Sequence, residues 1–105
     1  MNMQGKHVLI TGPTAGIGRG AALALAARGA TLTLLCRSPD KGRVLAAEVA
    51  AAGGVPPTVV TMDMASLASV RQAAQECLAL GRPVDVLLNN LITVELNLPA
   101  TEVTP

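Results

Sequence analysis

The chain has 105 residues, a formal net charge of +1 and no Phe, Trp or Tyr. That length fits one small domain and is too short for two. The near-neutral charge argues against a polyanion surface, and the missing rings argue against the stacking platforms that grip single-stranded nucleic acid. Any core must be built from Leu, Val, Ile and Met, without the large area that aromatic rings bury.

The N-terminal stretch MNMQGKHVLITG has no basic segment leading into a long apolar one, so no secretory signal is expected. No apolar run approaches the ~20 residues that span a membrane. Cys36 and Cys77 form neither a CxxC pair nor a metal-ligand cluster. They read as reduced thiols of a cytoplasmic protein.

Along the chain, strand and helix signals alternate. Lys6 to Thr11 is a short apolar run followed by Gly12, and reads as a buried strand. Ile17 to Arg28 is rich in Ala and Leu and ends at Gly29, as a helix with a glycine C-cap does. Thr31 to Cys36 is the second strand. Ser38, Pro39 and Asp40 then supply a capping hydroxyl, a first-position proline and a first-turn acid. That helix runs to about Ala52, where Gly53 and Gly54 end it.

Thr58 to Met62 is the third strand, and Ser66 caps a third helix. Leu67, Val70, Ala74, Cys77 and Leu78 fall on one face of that helix. Gly81 and Pro83 stop it, and Val84 to Leu88 is the fourth strand. Strands alternating with helices in this way predict an α/β fold with a doubly wound parallel sheet. Residues 1–90 form a partial dinucleotide-binding domain in this reading, and 91–105 form an irregular tail.

The segment between the first strand and first helix is TGPTAGIG, Thr11 to Gly18. Gly12 can make the sharp turn off the strand, Gly16 lets backbone approach a pyrophosphate, and Gly18 lets the helix pack near the sheet. Pro13 has no N–H, which leaves Thr14, Ala15 and Ile17 as donors to phosphate. The competing reading is an ordinary turn. An ATP-type loop is excluded because Gly-Lys-Ser/Thr is missing.

After the second strand comes Cys36-Arg37-Ser38. An acid there would suit NAD, whereas Arg37 suits the extra phosphate of NADP. Its bland alternative is a solvated arginine, and Arg19 is a weaker second choice. Asp63 and Met64 follow the third strand, where a carboxylate can accept from the adenine amino group; a helix-terminal charge explains Asp63 nearly as well. Asn89 and Asn90 end the fourth strand. They can tie strand ends together beside the nicotinamide ribose, or form a plain turn pair.

Together TGPTAGIG, Arg37, Asp63 and VDVLLNN resemble the N-terminal part of the short-chain dehydrogenase/reductase family. The nearest flavour is the NADP-preferring group around retinol-dehydrogenase-like and related carbonyl reductases. The resemblance implies a Rossmann fold with strand order 3-2-1-4. It also implies hydride transfer between NADP(H) and an alcohol or carbonyl. By the same resemblance, Gly12, Gly16 and Gly18 would line the pyrophosphate. Arg37 would meet the 2′-phosphate, Asp63 the adenine and Asn90 the cofactor ribose.

Two departures stand out. The family continues Asn-Asn with Ala-Gly, and this chain has Leu91-Ile92. The Tyr, Lys and Ser that the family uses for proton relay would lie past Pro105. The chain has no Tyr, its lysines are Lys6 and Lys41, and its one histidine, His7, sits at a strand start where a structural role is expected. No catalytic residue is therefore assigned, and the chain is expected to be inactive alone. The alternative is a non-catalytic nucleotide-binding or interaction module that pairs with a full-length relative. An open edge at Val84 to Leu88 would favour such pairing or self-association, and one helix over a four-stranded face should leave apolar surface exposed.

Overall fold

The computed structural model describes residues 2–14 and 16–89. The expected contacts Ala15 and Asn90, and the tail 91–105, lie outside the described residues.

Seven elements alternate: β1 (His7–Thr11), α1 (Gly16–Ala27), β2 (Thr31–Cys36), α2 (Pro39–Ala51), β3 (Thr58–Thr61), α3 (Leu67–Ala79) and β4 (Val86–Asn89). All strand pairings are parallel and the order is β3-β2-β1-β4. The alternation and order match those read from the sequence, with element ends shifted by one or two residues. The chain steps outward from β1 to β2 and β3, then crosses back to place β4 on the other side of β1.

Local chemistry explains the element ends. Ser38 Oγ accepts from the Lys41 amide at 3.4 Å, with Pro39 opening α2. Ser66 Oγ accepts from the Ser69 amide at 3.2 Å to open α3. Gly29 (φ +94°) and Gly53 (φ +90°) take the left-handed turn that ends α1 and α2.

Side chains alternate across the sheet. On one face Val8, Ile10, Leu32 and Leu34 are buried under Ala22 and Ala26 of α1 and Leu45 and Val49 of α2. On the other, Leu35 and Val60 pack with Met62 and with Ala73 of α3, and Leu9, Val70 and Cys77 border them. Consecutive crossovers of one hand place the first two helices on one face and the third on the other.

The apolar arc of α3 is only partly covered: Val70, Ala74, Cys77 and Leu78 line one trough together. Leu67 is 65% and Leu78 80% exposed, while Ala73 is the helix's buried residue. Val70 and Cys77 do turn inward. The sheet under the helix is too wide for one helix to shelter the flanks of its apolar arc. The consequence is an open apolar trough of about 700 Å³ between α3 and the sheet, lined by residues including Leu9, Leu35, Met62, Val70 and Val84. Leu87 on β4 is 60% exposed.

β4 also begins at Val86 rather than Val84. The Asp85 carboxylate accepts from the His7 amide (2.8 Å), and the Asp85 amide donates to the His7 carbonyl (2.9 Å). These bonds bring the segment onto β1 just before the ladder starts.

Candidate functional site

The carboxyl ends of the strands lie on one line. Thr11 pairs with Leu35 and with Asn89, and Leu35 pairs with Val60. Among the described residues, those just beyond are Gly12 after β1, Arg37 after β2, and Met62 and Asp63 after β3, with Asn89 closing β4. The chain reverses its direction of travel between β1 and β4, which is where open α/β sheets form a ligand crevice.

At that crevice the glycine turn takes the conformation its residues permit. Gly12 has φ +60° and Gly16 φ +57°, a region that side chains rarely adopt. The Gly12 amide donates to the Leu35 carbonyl at 3.2 Å, anchoring the turn to β2. A Cβ on Gly16 would meet nothing within 4 Å, so the space above the start of α1 is open. Gly18 is buried in α1. Thr14 is half-buried and Ile17 exposed at the same edge. The first turn of α1 has no acidic residue to compete with an anion for its amides.

Arg37 is exposed, and no hydrogen bond or ion pair holds its guanidinium among the described residues. Arg19, the weaker choice, is instead paired with Glu48 across α1 and α2. Asp40 pairs with Arg43 on the exposed side of α2 at 2.9 Å. Of the two arginines considered for the phosphate, Arg37 is the one left disengaged among the described residues.

Asp63 is partly committed to its own turn. Its amide donates to Ser69 Oγ (2.8 Å), and its Oδ1 accepts from the Ala65 amide (3.0 Å). Its Oδ2 carries no hydrogen bond among the described residues. Met64 is exposed beside it. The turn engages one oxygen of Asp63.

Thr11 Oγ1 donates to Asn89 Oδ1 at 2.9 Å, tying the ends of β1 and β4 together at the crevice. Register and parity place the two side chains on one face, but pairing between strands so distant in sequence is visible only in the fold. The bond between Asp63 and Ser69 had no sequence signal.

Other reactive groups lie elsewhere. The Cys36 thiol is pushed above its ordinary value by burial. Cys77 is raised by burial and then by the neighbouring Glu76 charge. Both thiols are free. Among the described residues no group of His, Cys, Asp and Glu could hold a metal, and no helix is long and apolar enough to cross a membrane.

A parallel sheet ordered 3-2-1-4, with a glycine turn opening onto its reversal point, defines a Rossmann-like α/β fold. The short chain dehydrogenase family matches residues 6–103, and the chain belongs to that family.

It is 38% identical over 90 residues to human dehydrogenase/reductase SDR family member 13, covering 85% of this chain and 24% of that protein. It is 37% identical over 91 residues to mouse retinol dehydrogenase 11, covering 86% of this chain and 29% of that protein. Among solved structures, the Pseudomonas aeruginosa RhlG/NADP active-site complex superposes with a TM-score of 0.77 at 28% identity, covering 85% of this chain and 35% of that one. The chain therefore spans about a quarter to a third of the curated relatives named here, corresponding to the N-terminal, cofactor-binding part of a short-chain dehydrogenase. Similar identities to differently named enzymes single out no retinol-dehydrogenase flavour.

Proposed function

We propose that the chain is the NADP(H)-binding portion of a reductase that moves hydride between the nicotinamide and an alcohol or carbonyl. The observation that carries this reading is the disengaged Arg37 beside an open glycine turn. The first-turn amides of α1, with Gly12, Thr14, Ala15, Gly16, Ile17 and Gly18 around them, hold the pyrophosphate. Arg37 supplies a fixed charge and a planar donor fork for the 2′-phosphate. Asp63 Oδ2 accepts from the adenine amino group beside Met64, and Asn90 meets the nicotinamide ribose. The bound cofactor supplies the hydride; these residues bind and orient it.

The NADP named in the RhlG structure and the spacing of Arg37 from the glycine turn support NADP over NAD. The two unpaired thiols fit a reducing, cytoplasmic setting. No residue in the described crevice has the acid–base pairing needed for proton relay, so binding without turnover is expected of this chain alone.

The test is titration with NADPH and NADH. Arg37→Asp should weaken NADPH by about tenfold or more, the scale of a lost charge-assisted contact, and leave NADH nearly unchanged. Equal affinities before and after the change would overturn the assignment.

A second reading rests on β4. Leu87 is exposed and the outer edge of β4 has no partner strand among the described residues. We infer that this edge pairs with a second copy or a full-length relative. Sedimentation should show association that Leu87→Lys abolishes, and a monomer at all concentrations would remove this reading.

A further inference from the structure

We propose that His7 is a positioning residue for the cofactor crevice: its ring latches the start of β4 to β1 and β2, and so fixes where the other end of β4 is presented.

His7 is 2% exposed, although it carries two polar nitrogens. Its Nδ1 lies 3.1 Å from the Pro83 carbonyl oxygen, in the loop that precedes β4. Its Nε2 lies 2.7 Å from Thr33 Oγ1 on β2. A carbonyl can only accept, so Nδ1 carries the proton and donates to Pro83. In the neutral ring Nε2 then accepts from the Thr33 hydroxyl. Thr33 is itself buried, so the ring is anchored from below while it holds the loop from the side.

These bonds sit where β4 needs them. Val86 and Leu87 are exposed, so the side-chain shelter of β4 rests on Leu88, which packs against the core under α1 and α2. Its attachment is the ladder to β1, closed at one end by His7 and Asp85 and at the other by Thr11 and Asn89. Three residues, Val86 to Leu88, separate the two clamps, too few to absorb a slip. A shift at Pro83 therefore moves Asn89, whose side chain ties β4 to Thr11 at the crevice. The inference rests on the reading that Asn90 meets the nicotinamide ribose. It predicts a selective effect: the nicotinamide half of the cofactor should feel the loss of His7, and the adenine half should not.

The experiment uses the full chain with His7→Val and His7→Asn. An asparagine amide can still donate to Pro83, whereas valine cannot. Two ligands are titrated: NADPH, and adenosine 2′,5′-bisphosphate, which lacks the nicotinamide half. His7→Val should weaken NADPH about tenfold, the scale of one buried group left unsatisfied, and leave the bisphosphate within about twofold. His7→Asn should recover most of the NADPH loss. Amide hydrogen exchange supplies a readout that needs no ligand. In His7→Val, the β4 amides should exchange about tenfold faster while those of β2 hold their rates.

Equal weakening of both ligands, or faster exchange across the whole sheet, would mean that His7 merely supports the fold and would overturn the proposal. Unchanged NADPH affinity in His7→Val would also overturn it. If the parent chain bound the bisphosphate but not NADPH, the positioning role would fall while the adenine-half assignment stood. If it bound neither ligand, the cofactor reading would fall and take the positioning role with it; selective β4 exchange would then leave His7 as a latch alone.

Discussion

The two faces of the sheet use the same kinds of residue and reach different ends. Under α1 and α2, Ile10, Leu32 and Leu34 are fully buried, and Leu45 and Val49 close over them. Under α3, Leu35 and Val60 are covered while Leu9 borders an open trough and Leu87 faces outward. Two helices spaced across adjacent strands make a closed layer without any aromatic ring. One helix makes a strip. Composition alone does not decide burial; the number of helices per face does.

The largest effect should separate the faces directly. Leu34→Ala should lower stability by about 2–5 kcal/mol, through lost burial and a residual cavity. Leu87→Ala should change it by about 0.5 kcal/mol or less, as at other exposed sites. Urea midpoints for the two variants test this, and similar losses would break the comparison.

A smaller effect probes how tightly the two-helix side is packed. A Cβ on Gly42 would lie 2.5 Å from Cys36 Sγ and 2.8 Å from Val59 Cγ1. Gly42→Ala should therefore cost about 1–3 kcal/mol by overpacking. Gly20, with nothing within 4 Å of its Cβ position, should behave oppositely: Gly20→Ala should stabilise α1 by about 0.5–1 kcal/mol. Thermal melts of both variants would show the opposite signs.

The one-helix side can be probed through its cap. Ser66→Ala removes the acceptor at the start of α3 and should cost about 1 kcal/mol. The loss should appear in the melt and as faster amide exchange along α3, with α1 and α2 unaffected.

The smallest effect is one of pH. Burial holds Cys36 above its ordinary value. The unfolded chain then loses this proton first, so it binds fewer protons than the native state and stability falls as pH rises. The contribution is complete below the ordinary thiol value and is lost through the range above it. Urea midpoints from about pH 8 to about pH 10 should decline more steeply for the parent than for Cys36→Ala.

Much of this was legible in the sequence because the signals are local. Ser38-Pro39-Asp40 and Ser66 marked helix starts, and Gly29 and Gly53 marked ends, because caps and left-handed turns depend on neighbouring residues. Gly12, Gly16 and Gly18 were readable for the same reason. The partners of His7 were not, since Thr33 and Pro83 lie 26 and 76 residues away. The exposure of Leu67 and Leu78 was not legible, because periodicity gives an arc but not the width of what covers it. Arg37 could be named from its place after β2, but its lack of a partner among the described residues, against the engagement of Arg19 by Glu48, required the fold.

The strand order also shapes how the chain comes together. β1 meets β2 across one short crossover, with His7 opposite Thr31, but β4 must return to β1 from 78 residues away. Closing that roughly threefold longer loop costs only about 1 kcal/mol more in chain entropy, so the penalty falls on time more than on stability. During synthesis β1, β2 and β3 can assemble in sequence while the second edge of β1 waits for its partner. That edge belongs to the strand leading into the glycine turn, so the cofactor crevice is completed last, when Asn89 reaches Thr11.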